Sequence, residues 1–262
     1  MNLDLTGRTA LVCGSTQGIG KAAAIGLSRL GASVVLIARN EDSLKQTLKD
    51  LDDTLRQKHA YLVADFSKPE QVKNVVEEYV ASHDPVHILV NNTGGPPGGP
   101  VIAAKTEEFL SAFSNHLICN QVLAQALLPG MKKAGYGRII NIISTSVKVP
   151  LRGLGVSNTV RAAVANWSKT WSMEVAPFGI TVNNVLPGAT LTQRLDSILN
   201  SKAEKSGTPR ENAENEMLKE IPMGRFAEAE EVANAILFLA SPAASYITGI
   251  NIPVDGGRTG SL

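Results

Sequence analysis

The sequence predicts an α/β fold: a doubly wound parallel sheet in three layers (α/β/α), built as a single domain. Three observations lead there. Short β-branched runs alternate with longer helix-prone stretches along the chain. The strand-like runs are apolar at consecutive positions, as in strands buried on both faces. The length of 262 residues suits one hydrophobic core, which stops growing near ~250–300 residues.

The elements follow in order. A first strand is expected over 9–13 and a helix over 18–30. The second strand, 33–38, precedes a charged helix over 41–58, and a third strand covers 61–64. Ser67-Lys68-Pro69-Glu70 reads as a capping box with proline in the first turn, opening a helix to Ser82. A fourth strand, 86–90, runs into the rigid Gly-Pro loop 94–100. Thr106 is expected to cap a helical stretch through Lys133. Strands over 138–143 and 181–185 flank a helix over 158–175, and a last helix and strand cover 228–240 and 250–254. The polar, Lys- and Glu-rich segment 190–222 reads as a substrate lid inserted in the domain 1–262.

Composition excludes several classes. Hydrophobic residues make up 44% and charged residues 19%, too apolar for a disordered chain. A net charge of +1 gives no basic surplus for tracking nucleic acid. Apolar runs such as 32–38 fall far short of the ~18 residues needed to span a bilayer, so no membrane partner is expected. The N-terminus shows no basic segment followed by an apolar one, as a secretory signal would. Cys13 and Cys119 lack C-x-x-C spacing, which fits a reducing cytoplasm. His59, His83 and His87 are dispersed without metal-ligand spacing and are expected at the surface.

In a parallel sheet of this kind ligands bind beyond the carboxyl ends of the strands. The first strand runs into Gly14-Ser15-Thr16-Gln17-Gly18-Ile19-Gly20, a turn that opens a helix. Its glycines let the backbone approach a pyrophosphate, and the helix N-terminus offers free N–H groups. A tight turn without ligand has the same spacing. The second strand ends at Ala38-Arg39, where an NAD site usually carries an acid for the ribose 2′-hydroxyl. Arg39 instead suits the 2′-phosphate of NADP, unless it is only a solvated helix-entry charge. Asp65, after the third strand, is either an adenine contact or an Asx-turn residue. Asn91-Asn92-Thr93-Gly94 either faces the ligand or pins two strands together.

These motifs resemble those of the short-chain dehydrogenase/reductase family, most closely its 3-oxoacyl-(acyl-carrier-protein) reductase branch. Further ones are Gly137-Arg138-Ile139-Ile140-Asn141, Gly179-Ile180-Thr181-Val182-Asn183, Pro187-Gly188, Tyr246-Ile247-Thr248-Gly249 and Val254-Asp255-Gly256-Gly257. The resemblance covers essentially the whole chain. It implies a Rossmann-type fold, a dinucleotide cofactor and a homotetramer, with 167–175 and 237–254 as interface material. It also implies cofactor contacts. Ser15, Gln17 and Ile19 would line the phosphate turn, Asp65 and Phe66 would meet adenine, and Asn92, Thr93 and Gly94 the adenosine ribose region. Pro187, Thr190 and Thr192 would surround the nicotinamide carboxamide.

The family's reductase site is a serine, a tyrosine thirteen residues later, a lysine four further on, and an asparagine from the preceding helix. Counting from Gly137-Arg138, the serine position is Ser144. The tyrosine position holds Ser157, the lysine position Arg161 and the asparagine position His116, with Asn115 one residue off. A serine hydroxyl is a far weaker acid than a phenol of pKa ~10. Arg161 keeps a charge, can hold ribose hydroxyls and could clamp a carboxylate, but cannot give up a proton. His116 is either a substitute acid, depressed by Arg161 toward its neutral form, or a space-filling helix residue. Ser144 and Ser157 could equally close a strand end and cap a helix. Arg152 either faces an acidic substrate or is solvated, and Trp167 and Trp171 suit a core or a subunit interface.

The expected function is therefore an NADP-dependent oxidoreductase acting on a small carbonyl or alcohol, which Arg161 would favour as an anion. The competing class is an inactive nucleotide-binding protein serving as a redox or partner sensor.

Overall fold

The structure is a computed structural model that describes residues 1–261. The strands are β1 (Thr9–Cys13), β2 (Ser33–Ala38), β3 (Ala60–Val63), β4 (Ile88–Asn91), β5 (Gly137–Ile142), β6 (Ile180–Pro187) and β7 (Asn251–Val254). Between them lie the helices α1 (Gly18–Arg29), α2 (Glu41–Leu48), α3 (Pro69–Ser82), α4 (Thr106–Phe113), α5 (Cys119–Ala134) and α6 (Gly155–Val175). After β6 come α7 (Gln193–Ser206), α8 (Arg210–Lys219) and α9 (Ala229–Ala240). Every pairing is parallel, in the order β3-β2-β1-β4-β5-β6-β7. The chain winds outward from β1 to β3, then returns to start β4 on the other side of β1. The crevice between the carboxyl ends of β1 and β4 is where such sheets take ligands.

The consecutive apolar runs are explained by the two layers they fill. Val12, Val34 and Leu36 face one core with Ala23 and Leu27 of α1 and Ile236 and Leu239 of α9. Their neighbours Leu11, Val35 and Ile37 face the other with Val76 of α3 and Leu123 and Met131 of α5. Among the described residues no helix is long and apolar enough to cross a membrane.

One polar row runs through the buried sheet. Asn91, Asn141, Asn184 and Asn251 stand in register on β4, β5, β6 and β7. Each side-chain amide donates to the next: Asn91 to Asn141 at 2.8 Å, Asn141 to Asn184 at 2.9 Å and Asn184 to Asn251 at 2.7 Å.

Several local expectations need correction. The helix expected over 41–58 ends at Leu48. Beyond it, side chains take over the backbone groups. Ser28 Oγ accepts the Asp52 N–H, Asp52 accepts the Thr54 N–H, and Gln57 donates to the Ser28 carbonyl. The capping box at Ser67 does not form, because the Ser67 N–H donates to Asp65 and Lys68 is the capping residue. Thr106 is not a cap either. Its predecessor Lys105 holds that position, with its N–H given to Glu108. The stretch expected as one helix over 106–133 is split between α4 and α5 by a π turn, Ser114–Ile118. α6 begins at Gly155, so Ser157 lies in its first turn and does not cap it. His87 is buried, its Nδ1 accepting the Thr9 N–H, and His59 Nδ1 accepts the Val34 N–H. Both are partners for strand edges that the sequence showed only as scattered histidines.

Candidate active site

The turn after β1 is built by contacts that only glycine permits. Gly14 and Gly18 have φ of 56° and 52°, in the left-handed region. A Cβ at Gly20 would collide with the Gly14 carbonyl oxygen. Asn92 fixes the turn from β4, its Nδ2 donating to the carbonyls of Cys13 and Gly14 at 3.3 and 3.2 Å. Its side chain thus pins two strands. Gln17 precedes α1 in extended conformation without a side-chain cap, leaving the first-turn amides open. Ser15 Oγ is fully buried in the turn and has no partner. Free amides, a positive helix end and an orphaned hydroxyl fit a pyrophosphate group.

The neighbouring strand ends complete this half. Arg39 is exposed after β2. The Asp65 carboxyl, after β3, is held below the usual carboxylate range by hydrogen bonds from Ser67, with help from Lys68 and Arg39. Phe66 packs on the α3–α5 core, its carbonyl accepting from Cys119, and Ile19 packs on the α1–α9 core. Burial pushes the Cys119 thiol up to about 12 and raises Cys13 as well, so neither is a nucleophile. On the far side Pro187 ends β6, Thr190 is buried against the Gly188 carbonyl, and Thr192 lies over Gly18. Gly94 is exposed with open space around it.

The other half gathers at the ends of β4 and β5. Arg161 donates Nη1 to the carbonyl of Ile142, the last residue of β5, at 2.6 Å. Ser144 follows two residues later, its Oγ accepting the Ser146 N–H at 3.1 Å. Ser157 is buried one turn before Arg161, on the same face of α6. The π turn brings His116 into the interior, where Nδ1 meets Thr93 Oγ1 at 2.5 Å. Burial, then Arg161, then Arg194 push the His116 imidazole down to about 2. The ring is neutral at any ordinary pH. The loop 94–100 walls the site, with Gly99 bonded to Gly153 and Gly155 at the entry to α6.

The four tyrosines all lie elsewhere. Tyr61 bonds Glu41, Tyr79 stacks on His83, Tyr136 donates to the Ala240 carbonyl, and Tyr246 is fully exposed. Arg152 is exposed, whereas Trp167 and Trp171 both donate to Gln121 Oε1 within the chain.

Sequence reasoning missed Arg194. It stands in the first turn of α7, donates Nη2 to the Pro96 carbonyl at 2.7 Å, and is close enough to Arg161 to depress it. Its only signal was an arginine two residues after Thr192, hidden in a segment of mixed charge.

Comparison with known proteins gives a consistent set of likenesses. The family description "enoyl-(acyl carrier protein) reductase" matches residues 14–259. The 3-oxoacyl-(acyl-carrier-protein) reductase FabG of Haemophilus influenzae is 34% identical over 253 residues, covering 97% of this chain and 98% of that protein. The NADPH-dependent reductase BacG of Bacillus subtilis is 31% identical, covering 97% and 99%. L-Sorbose reductase from Gluconobacter frateurii, complexed with NADPH and L-sorbose, superposes with a TM-score of 0.92 at 32% identity over all of both chains.

Proposed function

The chain belongs to the short-chain dehydrogenase/reductase family, and we propose that it is an NADP(H)-dependent oxidoreductase interconverting a carbonyl and an alcohol on a small molecule. The observation that carries this reading is the open phosphate turn with its orphaned Ser15 hydroxyl. Gly14, Ser15, Gln17, Gly18, Ile19 and Gly20 would hold the pyrophosphate, and Arg39 the 2′-phosphate. Asp65, Phe66, Asn92, Thr93 and Gly94 would flank the adenosine, and Pro187, Thr190 and Thr192 the nicotinamide.

When bound, the dinucleotide supplies or accepts the hydride. The protein's own groups handle the oxygen. Ser144 accepts from Ser146 and keeps its hydroxyl proton free to orient the substrate carbonyl. Ser157 adds a second hydroxyl, and Arg161 stabilises the negative charge that develops on that oxygen. With all four tyrosines elsewhere, no phenol serves as proton carrier. A neutral His116 holds no imidazolium proton near pH 7. Water therefore delivers the proton. General acid–base help is typically worth ~10²–10⁴ in rate, so turnover is expected to be slow.

The missing phenol equally favours the sensor reading, in which the nucleotide binds and nothing turns over. The segment 190–222 serves as the substrate lid. Exposed Met173, Tyr246 and Ile250 support a homotetramer built through 167–175 and 237–254.

Fluorescence titration with NADPH and NADH tests the cofactor claim. NADPH should bind tighter, and Arg39→Ala should weaken it about tenfold or more while leaving NADH unchanged. No affinity for either dinucleotide would end the proposal. Turnover of any carbonyl in a broad panel, lost in Arg161→Ala, separates the enzyme from the sensor.

A further inference from the structure

Arg161 and Arg194 are both partly buried, and neither pairs with a carboxylate among the described residues. Each spends one hydrogen bond on a backbone carbonyl, Arg161 on Ile142 and Arg194 on Pro96. A guanidinium carries five donors, so most of the fork on each remains unused. Two like charges brought together without a counter-ion are costly. Burial and Arg194 indeed push Arg161 down to about 10. The arrangement makes sense when an anion arrives with the ligand.

The position of the pair identifies which anion. The phosphate turn follows β1, whereas Arg161 is anchored on β5, two strands away, or about 10 Å at ordinary strand spacing. Arg194 is anchored on the loop after β4 and rests against Gly95. The loop that anchors Arg194 is tied through Gly99 to the entry of α6, the helix that carries Arg161, so both guanidiniums stand at the inner end of the site. That is where the reacting oxygen would lie, beside Ser144 and Ser157.

We propose that Arg161 and Arg194 form a two-sided carboxylate clamp, so that the substrate is an oxo acid or hydroxy acid carrying its carboxylate near the reacting carbon. Planar forks from two directions match a carboxylate's lone pairs. Arg194, carried by α7, couples substrate charge to the segment 190–222. The proposal rests on the oxidoreductase reading above for the identity of the reacting group, but not for the anion site itself.

The test uses pyruvate, small enough to enter any such site, and its uncharged methyl ester. Both are titrated by calorimetry into the protein, with and without NADPH. Pyruvate should bind about tenfold or more tighter than the ester. Arg194→Gln should erase that preference without changing NADPH affinity, and Arg194→Lys should restore only part of it. Arg161→Gln should also erase the preference for the acid. If it does not fold, Arg194→Gln alone decides. An acid that binds no better than its ester, or no binding of either, overturns the clamp. So does a loss of NADPH affinity in Arg194→Gln with the acid preference intact, which assigns the arginine to the cofactor phosphates. Absence of NADPH binding with the acid preference present overturns the oxidoreductase reading and leaves the clamp standing.

Discussion

His116 carries a neutral ring because burial removes water from it and two guanidiniums repel a third positive charge. This has a consequence for stability. Its ring holds no proton in the folded state until pH nears 2, while in the unfolded chain it titrates at the ordinary 6.5. The unfolded state therefore binds the extra proton between those values. Stability is full above pH 6.5 and falls as the pH drops toward 2, by about 1.4 kcal/mol per unit for this one group. Denaturant unfolding at pH 6.5 and 4.5 should show a loss of about 2 kcal/mol in the native protein that His116→Gln lacks. Equal pH dependence in the two proteins would place the charged ring elsewhere. By the same argument His116→Gln should leave the pH profile of hydride transfer between pH 5 and 8 unchanged.

At the scale of elements, the sheet is held in register by more than apolar packing. The asparagine row across β4 to β7 fixes which residue faces which, because a slip would leave buried amides unpaired. Asn141→Leu removes the central member and strands one donor on Asn91 and one acceptor on Asn184. The expected cost is about 2–5 kcal/mol, read as a melting temperature lower by roughly 5–15 °C. A change within a degree would mean that water replaces the amide. The same row shows how far sequence patterning reaches. Asn91 and Asn141 stood out in the quoted motifs and Asn184 did not, because the alignment of these amides depends on strand order. The overlong helix expected over 41–58 failed for a related reason: the groups that end it, such as Ser28, come from α1 and are remote in sequence.

Over the whole molecule, α7 and α8 form a small layer with its own apolar cluster of Leu195, Leu199, Ala213 and Met217. It meets the rest of the chain through Thr192 on Gly18 and Arg194 on Pro96 at one end, and through the ion pair of Glu220 with Arg258 and the packing of Ile221 on Gly256 at the other. Its apolar cluster is small beside the two cores of the sheet, so the layer is expected to open locally at lower cost than the sheet. Trypsin should cut within 190–222 first, and saturating NADPH should slow that cut several-fold, because the dinucleotide would rest against both the phosphate turn and Thr192. Cleavage indifferent to NADPH would argue against the lid.

The order of strands and helices and the glycine turn were fixed locally. They depend on side-chain periodicity, on φ values only glycine adopts, and on residue identity at set spacings. The company kept by each functional side chain was decided only by the tertiary structure. Arg194 with Arg161, His116 with Thr93, and four asparagines in one row come from segments far apart in the chain, joined by a parallel sheet whose crossovers bring every carboxyl end to one edge. Charges and hydrogen bonds act through space, so the depressed imidazole and the unpaired guanidiniums exist only once that edge has been assembled.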